Sequence, residues 1–358
     1  MKRFLVLGVI VLLLLTPVSA AESLYDTDGL TNTLPEDVLE MLDGLAPENA
    51  DSLTEGTVQI LDSVLQEAGG FLHAALRTAM IVMAAVMLCG LIARVDTGLT
   101  SNAVNLAGVL AVTAACAGSL GTMLALGQET LERIQVFATA LLPTMAAATV
   151  AVGAVNASAA IYTGTVMFSN LLILLTNQLL MPLAYAYVAA SAANAAIGND
   201  SLKQMAGLIR WAVTNGMKVL LMVFTGFITV SGVISGSADA ATVKAAKMTL
   251  SGMVPVVGSI IGDASETVLV SAGILRSSVG VFGMLAVLGI CAAPFLQIGL
   301  HYLVLKLTAA ISGIVGDKIL ASLIDAIGVA MGFVVAMTGS CALVLLISCV
   351  CSMKAVSL

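Results

Sequence analysis

The longest uncharged stretch of the chain runs from Ile134 to Asn199 and reads IQVFATALLPTMAAATVAVGAVNASAAIYTGTVMFSNLLILLTNQLLMPLAYAYVAASAANAAIGN. Its apolar residues are continuous and lack the alternation that is typical of membrane-barrel strands. A helix crosses a bilayer with about 20 apolar residues, so the stretch predicts about three crossings. Asn156–Ser158 and Thr176–Gln178 are the predicted breaks between them. Because backbone groups in lipid must be paired within a segment, we expect an all-α, polytopic transmembrane helical bundle.

The composition of the whole chain supports the same class of protein. Hydrophobic residues make up 59% of it and charged residues 10%, and the mean hydropathy is +1.08. A soluble globular protein has about 25% charged residues. The other apolar runs are Thr78–Ala93, Ala103–Leu126, Val219–Ser235, Val279–Leu300 and Ile327–Val350. With a charged hairpin expected at Gln128–Arg133, we predict seven or eight spans.

The N-terminus has the three parts of a secretory signal peptide. Lys2 and Arg3 form a basic start, Phe4–Leu15 is apolar, and Pro17 is followed by the small-residue pattern Val18–Ala20. This order predicts a cleavable signal peptide over residues 1–20, with an uncleaved anchor helix as the alternative. Cleavage leaves the mature N-terminus outside the cytoplasm.

Residues 21–70 form a second, acidic segment. Twelve of the 21 acidic residues lie between Glu22 and Glu67, and this segment has no Lys or Arg. Helix starts are predicted at Pro35 and at the capping box Ser52–Glu55. We therefore expect a short extracytoplasmic helical segment that packs on the membrane domain or on a partner. Its charge argues against nucleic acid as a partner. The multi-pass membrane domain is predicted over residues 71–358.

Two parts of the membrane domain are candidate sites. Lys203, Arg210 and Lys218 fall on one side of a helix over Leu202–Lys218. This basic helix either lies along the lipid headgroups or packs on the bundle as a connection. The positive-inside rule predicts that it is cytoplasmic.

The second candidate is a segment at residues 250–266 that is interrupted by Gly and Pro. Its apolar part, Met253–Ile261, is too short to cross a membrane. Such broken segments beside acidic residues are typical of transport sites, and intramembrane carboxylates are functional candidates. Alternatively, the acids lie at the membrane surface near the start of the next helix. The candidate transport or structural site consists of Pro255, Gly258, Gly262, Asp263 and Glu266.

The run Met253–Val268, MVPVVGSIIGDASETV, resembles the signature of the stage III sporulation protein AE family. The resemblance implies a membrane subunit of the mother-cell stage III sporulation complex, located in the mother-cell membrane around the forespore. It further implies that the complex and a forespore partner form a channel or feeding apparatus. The implied partners are other stage III sporulation membrane proteins and that forespore partner. The family supplies no catalytic residues.

Two other classes of function are open to the sequence. A secondary transporter with its site near Pro255–Glu266 is the alternative to the sporulation subunit. An enzyme is not expected, because His73 and His301 belong to no metalloprotease motif and no nucleophile elbow or P-loop is present. No metal or cofactor is expected either. Gly-x-x-x-Gly spacings, as at Gly328 and Gly332, permit close helix packing or a homo-oligomer in the bilayer.

Overall fold

The computed structural model describes residues 27–42, 53–95, 101–151, 155–253, 258–315 and 318–354. Every regular element in these ranges is a helix, which confirms the predicted all-α class. The elements are α1 (Thr27–Asn32), α2 (Glu36–Met41), α3 (Leu53–Val95), α4 (Ser101–Ala151), α5 (Val155–Leu175), a π-helical turn (Thr176–Leu180), α6 (Met181–Ile197), α7 (Asp200–Met253), α8 (Gly258–Val315) and α9 (Lys318–Lys354).

Six helical stretches among the described residues are long and apolar enough to cross a membrane. They are Leu53–Ile92, Ala103–Val150, Tyr162–Ile197, Asp200–Ile228, Ser277–Ile314 and Lys318–Met353. The chain is therefore a multi-pass membrane protein. Within the described residues the stretch from Ile134 to Asn199 forms the end of α4 and one further candidate span, and the total of seven or eight spans stays a prediction. The signal peptide lies outside the described residues and stays a prediction.

The predicted hairpin at Gln128–Arg133 is wrong, since α4 is continuous through it. Thr130 and Leu131 are buried in the bundle, while Arg133 Nη2 donates to Glu129 Oε1 at 2.8 Å across one helical turn. The preceding Gly127 is helical, and its missing side chain leaves room for Val334 of α9. The charged residues of the run Gln128–Arg133 therefore lie on the exposed side of α4 and do not end the helix.

The π-helical turn occupies the second predicted break, and α6 follows it directly. The chain thus passes from α5 to α6 without a loop. Thr176 is fully buried, and neither its Oγ1 nor Asn177 Oδ1 has a hydrogen-bond partner in the described protein. A π-helical turn of this kind is often found at functional sites.

The helices are longer than a bilayer is thick. At 1.5 Å per residue, the 51 residues of α4 extend over about 77 Å, and the hydrocarbon core is about 30 Å thick. The 58 residues of α8 are longer still. These helices therefore extend out of the hydrocarbon core or cross it obliquely.

The centre of the bundle is the antiparallel pair α8 and α9. Gly283 lies beside Cys349 near one end of the pair, and Gly328 lies beside Leu305 towards the other. A Cβ added to Gly332 would lie 3.2 Å from the Tyr302 ring, so the spacing Gly328–Gly332 does mark a close helix approach. Helix α3 packs along α8, α4 packs along α9, and α5 to α7 complete the bundle.

Candidate functional site

The turn between α6 and α7 positions the predicted basic helix. Gly198 ends α6 with a φ of 72°, and its N–H donates to Asn194 O at 2.7 Å. This left-handed conformation favours glycine, because it has no Cβ. Asn199 Oδ1 then accepts from the Ser201 N–H at 2.9 Å and caps the start of α7. The two caps return the chain along α6, so that α7 packs against it.

The predicted basic helix is the first part of α7 and continues without interruption into the next apolar run. Lys203, Arg210 and Lys218 are exposed, as the spacing predicts. The buried face, formed by Ala206, Ile209, Val213 and Met217, adjoins the basic side, whereas the apolar residues opposite it, Met205 and Leu208, are exposed. The helix therefore packs on the bundle. Its predicted location at the lipid headgroups and on the cytoplasmic side stays a prediction.

Arg210 lies between two concave surfaces. The first, which we call the polar cavity, has a volume of about 920 Å³ and lies between α4, α6, α7 and α9. It contains three cations and two carboxylates. Its polar lining consists of Asn105, Tyr187, Ser191, Asn194, Asp200, Lys203, Arg210, Lys318, Ser322 and Asp325. Within it, Tyr187 lies close to both Arg210 and Asp325.

The second surface, which we call the amphiphilic groove, has a volume of about 590 Å³ and lies between α7, α8 and α9. Its cations are Arg210, Lys218 and Lys306, and none of its lining residues is acidic. The rest of the lining is mainly apolar, with Phe295 and Leu343 both about half exposed. A charged region and an apolar region therefore meet in one groove.

An ion pair joins α8 to α9 beside both surfaces. Lys306 Nζ donates to Asp325 Oδ1 at 2.5 Å, and the same amine lies 5.8 Å from the centre of the Tyr302 ring. The two side chains retain 27% and 43% of their exposure. Charged groups within membrane helices are usually paired in this way. Sequence reasoning missed the pair; the only signal was two opposite charges in otherwise apolar helices.

A second ion pair attaches the acidic segment to the bundle. Arg133 Nη1 of α4 donates to Asp37 Oδ2 of α2 at 3.2 Å. Next to it, Val38 is buried, and a Cβ on Gly289 of α8 would lie 2.9 Å from Val38 Cγ1. Of the two predicted alternatives, packing on the membrane domain therefore holds for α2.

A smaller cavity of about 150 Å³ lies between α4 and α5. Gln135, Thr139, Ser169 and Asn170 give it a polar lining, and Ser169 Oγ is buried without a hydrogen-bond partner. A volume of this size holds a few water molecules. The cavity thus has a mainly apolar lining with a few polar groups.

The second predicted site is only partly described. Pro255 lies outside the described residues. Gly258 is the first residue of α8, and Gly262, Asp263 and Glu266 follow in its first turns. Their side-chain surroundings are also outside the described part, so the structure does not connect them to either surface around Arg210. Their role in transport or structure stays a prediction.

Comparison with known proteins gives one consistent result. The family model described as "Stage III sporulation protein AE" matches residues 37–355. The chain is also 26% identical over 199 residues to the stage III sporulation protein AE of Bacillus subtilis (strain 168). This match covers 56% of the chain and half the length of that relative. No solved structure matches the chain.

Proposed function

Because the chain belongs to the stage III sporulation protein AE family, we propose that it is a non-enzymatic subunit of the mother-cell stage III sporulation complex. In this role it contributes to a channel or feeding apparatus between the mother cell and the forespore. Its proposed partners are other stage III sporulation membrane proteins and a forespore protein. Its proposed location is the mother-cell membrane around the forespore, with the mature N-terminus extracytoplasmic.

The observation that carries this proposal is the extent of the family match. It begins at Asp37, within α2, and continues to residue 355, beyond the end of α9. The matched region therefore includes both the membrane bundle and the helix that the Arg133–Asp37 ion pair attaches to it. A short acidic helix on the bundle surface is a suitable contact for a partner that approaches from outside the cytoplasm.

Deletion of the gene in a spore-forming host tests the proposal. We expect development to stop after engulfment and the number of heat-resistant spores to fall. Re-expression of the intact chain should restore spores. A deletion strain that sporulates normally would contradict the proposal, as would a protein made only in vegetative cells.

A permease is the second candidate function, and the polar cavity favours it. That cavity lies among apolar helices and holds both signs of charge, as a solute site in a membrane does. The test is solute flux into liposomes that contain the purified chain alone. Flux that Asp325→Asn abolishes supports a site in the polar cavity, whereas flux that only Asp263→Asn abolishes supports the Pro255–Glu266 segment. The absence of flux for a panel of ions and small solutes would contradict an independent permease.

A further inference from the structure

We propose that the amphiphilic groove binds one anionic phospholipid of the surrounding bilayer. The phosphate lies near Arg210, Lys218 and Lys306, and an acyl chain follows the apolar residues of the groove. The groove volume, about 590 Å³, falls in the range of about 300–1,000 Å³ that is usual for small-ligand sites.

The charges of the groove select an anion. Arg210 and Lys218 belong to one wall and Lys306 to the other, so that cations face the groove from two helices. Lys306 is paired with Asp325, but an ammonium group has three donors and this contact uses one of them. Lys218 has no acidic partner among the residues that the structure describes. A phosphate would provide the missing negative charge, as headgroups do in basic pockets between membrane helices.

The remaining lining selects an amphiphile over a free anion. Arg210 and Lys218 are separated by two helical turns, and the long side chain of Lys218 can reach along the groove towards Arg210. Beyond these cations, Leu221, Phe295 and Leu343 provide an apolar wall for a chain. Gly299 leaves space in the groove, since nothing lies within 4 Å of a Cβ built there, whereas Gly332 and Gly339 accommodate the rings of Tyr302 and Phe295.

The test uses the full chain in vesicles of phosphatidylglycerol, phosphatidylethanolamine and phosphatidylcholine, followed by native mass spectrometry of the released protein. We expect one retained phosphatidylglycerol per chain. Lys218→Gln should lower its retention about fivefold, which corresponds to the loss of one cation near an anionic lipid. Glycerol phosphate at the same concentration should not displace the lipid.

Lys203→Gln is the matched control. Lys203 lies on the same helix and is also exposed, but it lines the polar cavity and not the groove. Its substitution removes the same charge and should leave lipid retention unchanged. Equal losses in Lys203→Gln and Lys218→Gln would overturn the proposal, because they would show general attraction to a basic surface.

A second variant tests the apolar part. Ala336 is exposed in the groove, so Ala336→Trp should obstruct it and lower lipid retention without any change in charge. Thermal unfolding in detergent shows whether Ala336→Trp is folded. If it is misfolded, the comparison of lipid retention in Lys218→Gln and Lys203→Gln tests the proposal alone. Unchanged retention in folded Ala336→Trp would overturn the proposal. So would a cross-link that shows a second polypeptide, instead of lipid, in the groove.

Discussion

Two ion pairs each join two different helices of this protein, and their surroundings differ. Lys306–Asp325 joins α8 and α9, which follow each other in the chain and pack closely along their length. Arg133–Asp37 joins the bundle to α2, a helix of six residues with few other contacts. The first pair is less exposed, at 27% and 43% against 36% and 59%. The comparison teaches that an ion pair's effect depends on what else holds its two helices together.

The largest effect should come from breaking the less exposed pair. Asp325→Ala leaves the Lys306 ammonium unpaired between packed helices, and we expect a loss of about 2–3 kcal/mol, below the value for a fully buried pair. Denaturant unfolding in detergent measures it. Replacing both residues, as Lys306→Met with Asp325→Leu, should recover most of the loss. Equal stability of the wild type and Asp325→Ala would contradict this assignment.

The next effect concerns the packing of α2. Gly289→Leu places a side chain where Val38 now lies and should cost about 1–2 kcal/mol through overpacking. The loss should be confined to α2, and hydrogen exchange of the amides in Glu36–Met41 measures it. Gly118→Leu is the control, since nothing lies near a Cβ at that position. Unchanged exchange in Gly289→Leu would show that α2 does not depend on this contact.

A smaller effect should follow from breaking the exposed pair. Asp37→Asn should weaken the attachment of α2 by about 0.5 kcal/mol, as is usual for exposed ion pairs. The exchange rates of α2 should rise while global unfolding stays the same. Glu40→Gln removes an equal charge from the same helix and should have no effect. A charge exchange, Asp37→Arg with Arg133→Asp, should restore the wild-type rates, and failure to do so would argue against a direct pair.

The smallest effect should be the response to salt. At about 1 M salt the screening length falls to about 3 Å, which weakens exposed charges more than enclosed ones. We expect faster exchange in α2 and no change in the stability of the α8–α9 pair. The test is to measure amide exchange in α2 and the free energy of unfolding of the bundle in the same salt series. An equal response of the two regions would show that their exposure does not distinguish them.

The fold class followed from the sequence because long uncharged runs permit few structures in a membrane. The breaks between helices did not, because the run at Gln128–Arg133 contains charges that are typical of a loop and yet is helical. Burial of Thr130 and Leu131 and the packing of Gly127 against Val334 keep that run helical. Such contacts depend on neighbouring helices and leave no local pattern.

The candidate site, like the fold, was only partly predictable from the sequence. Helical spacing correctly placed Lys203, Arg210 and Lys218 on an exposed face, because that relation is local. The partners of this face come from α8 and α9, about a hundred residues later, and their register is set by packing. For that reason neither Lys306–Asp325 nor the two surfaces beside Arg210 could be derived from spacing alone.

The π-helical turn at Thr176–Leu180 sets how far α6 is rotated relative to α5 about the helix axis. A turn of this type holds about one residue more than an α-helical turn, which corresponds to a rotation of about 100°. Before it, Phe168 meets Phe224 at 5.3 Å between ring centres; after it, Tyr187 meets Phe333 at 5.4 Å. Deleting one residue within the turn would convert it to regular helix and rotate α6 relative to α5. The aromatic contacts on its two sides could then no longer form together, so one inserted residue sets which neighbours each half of this span meets.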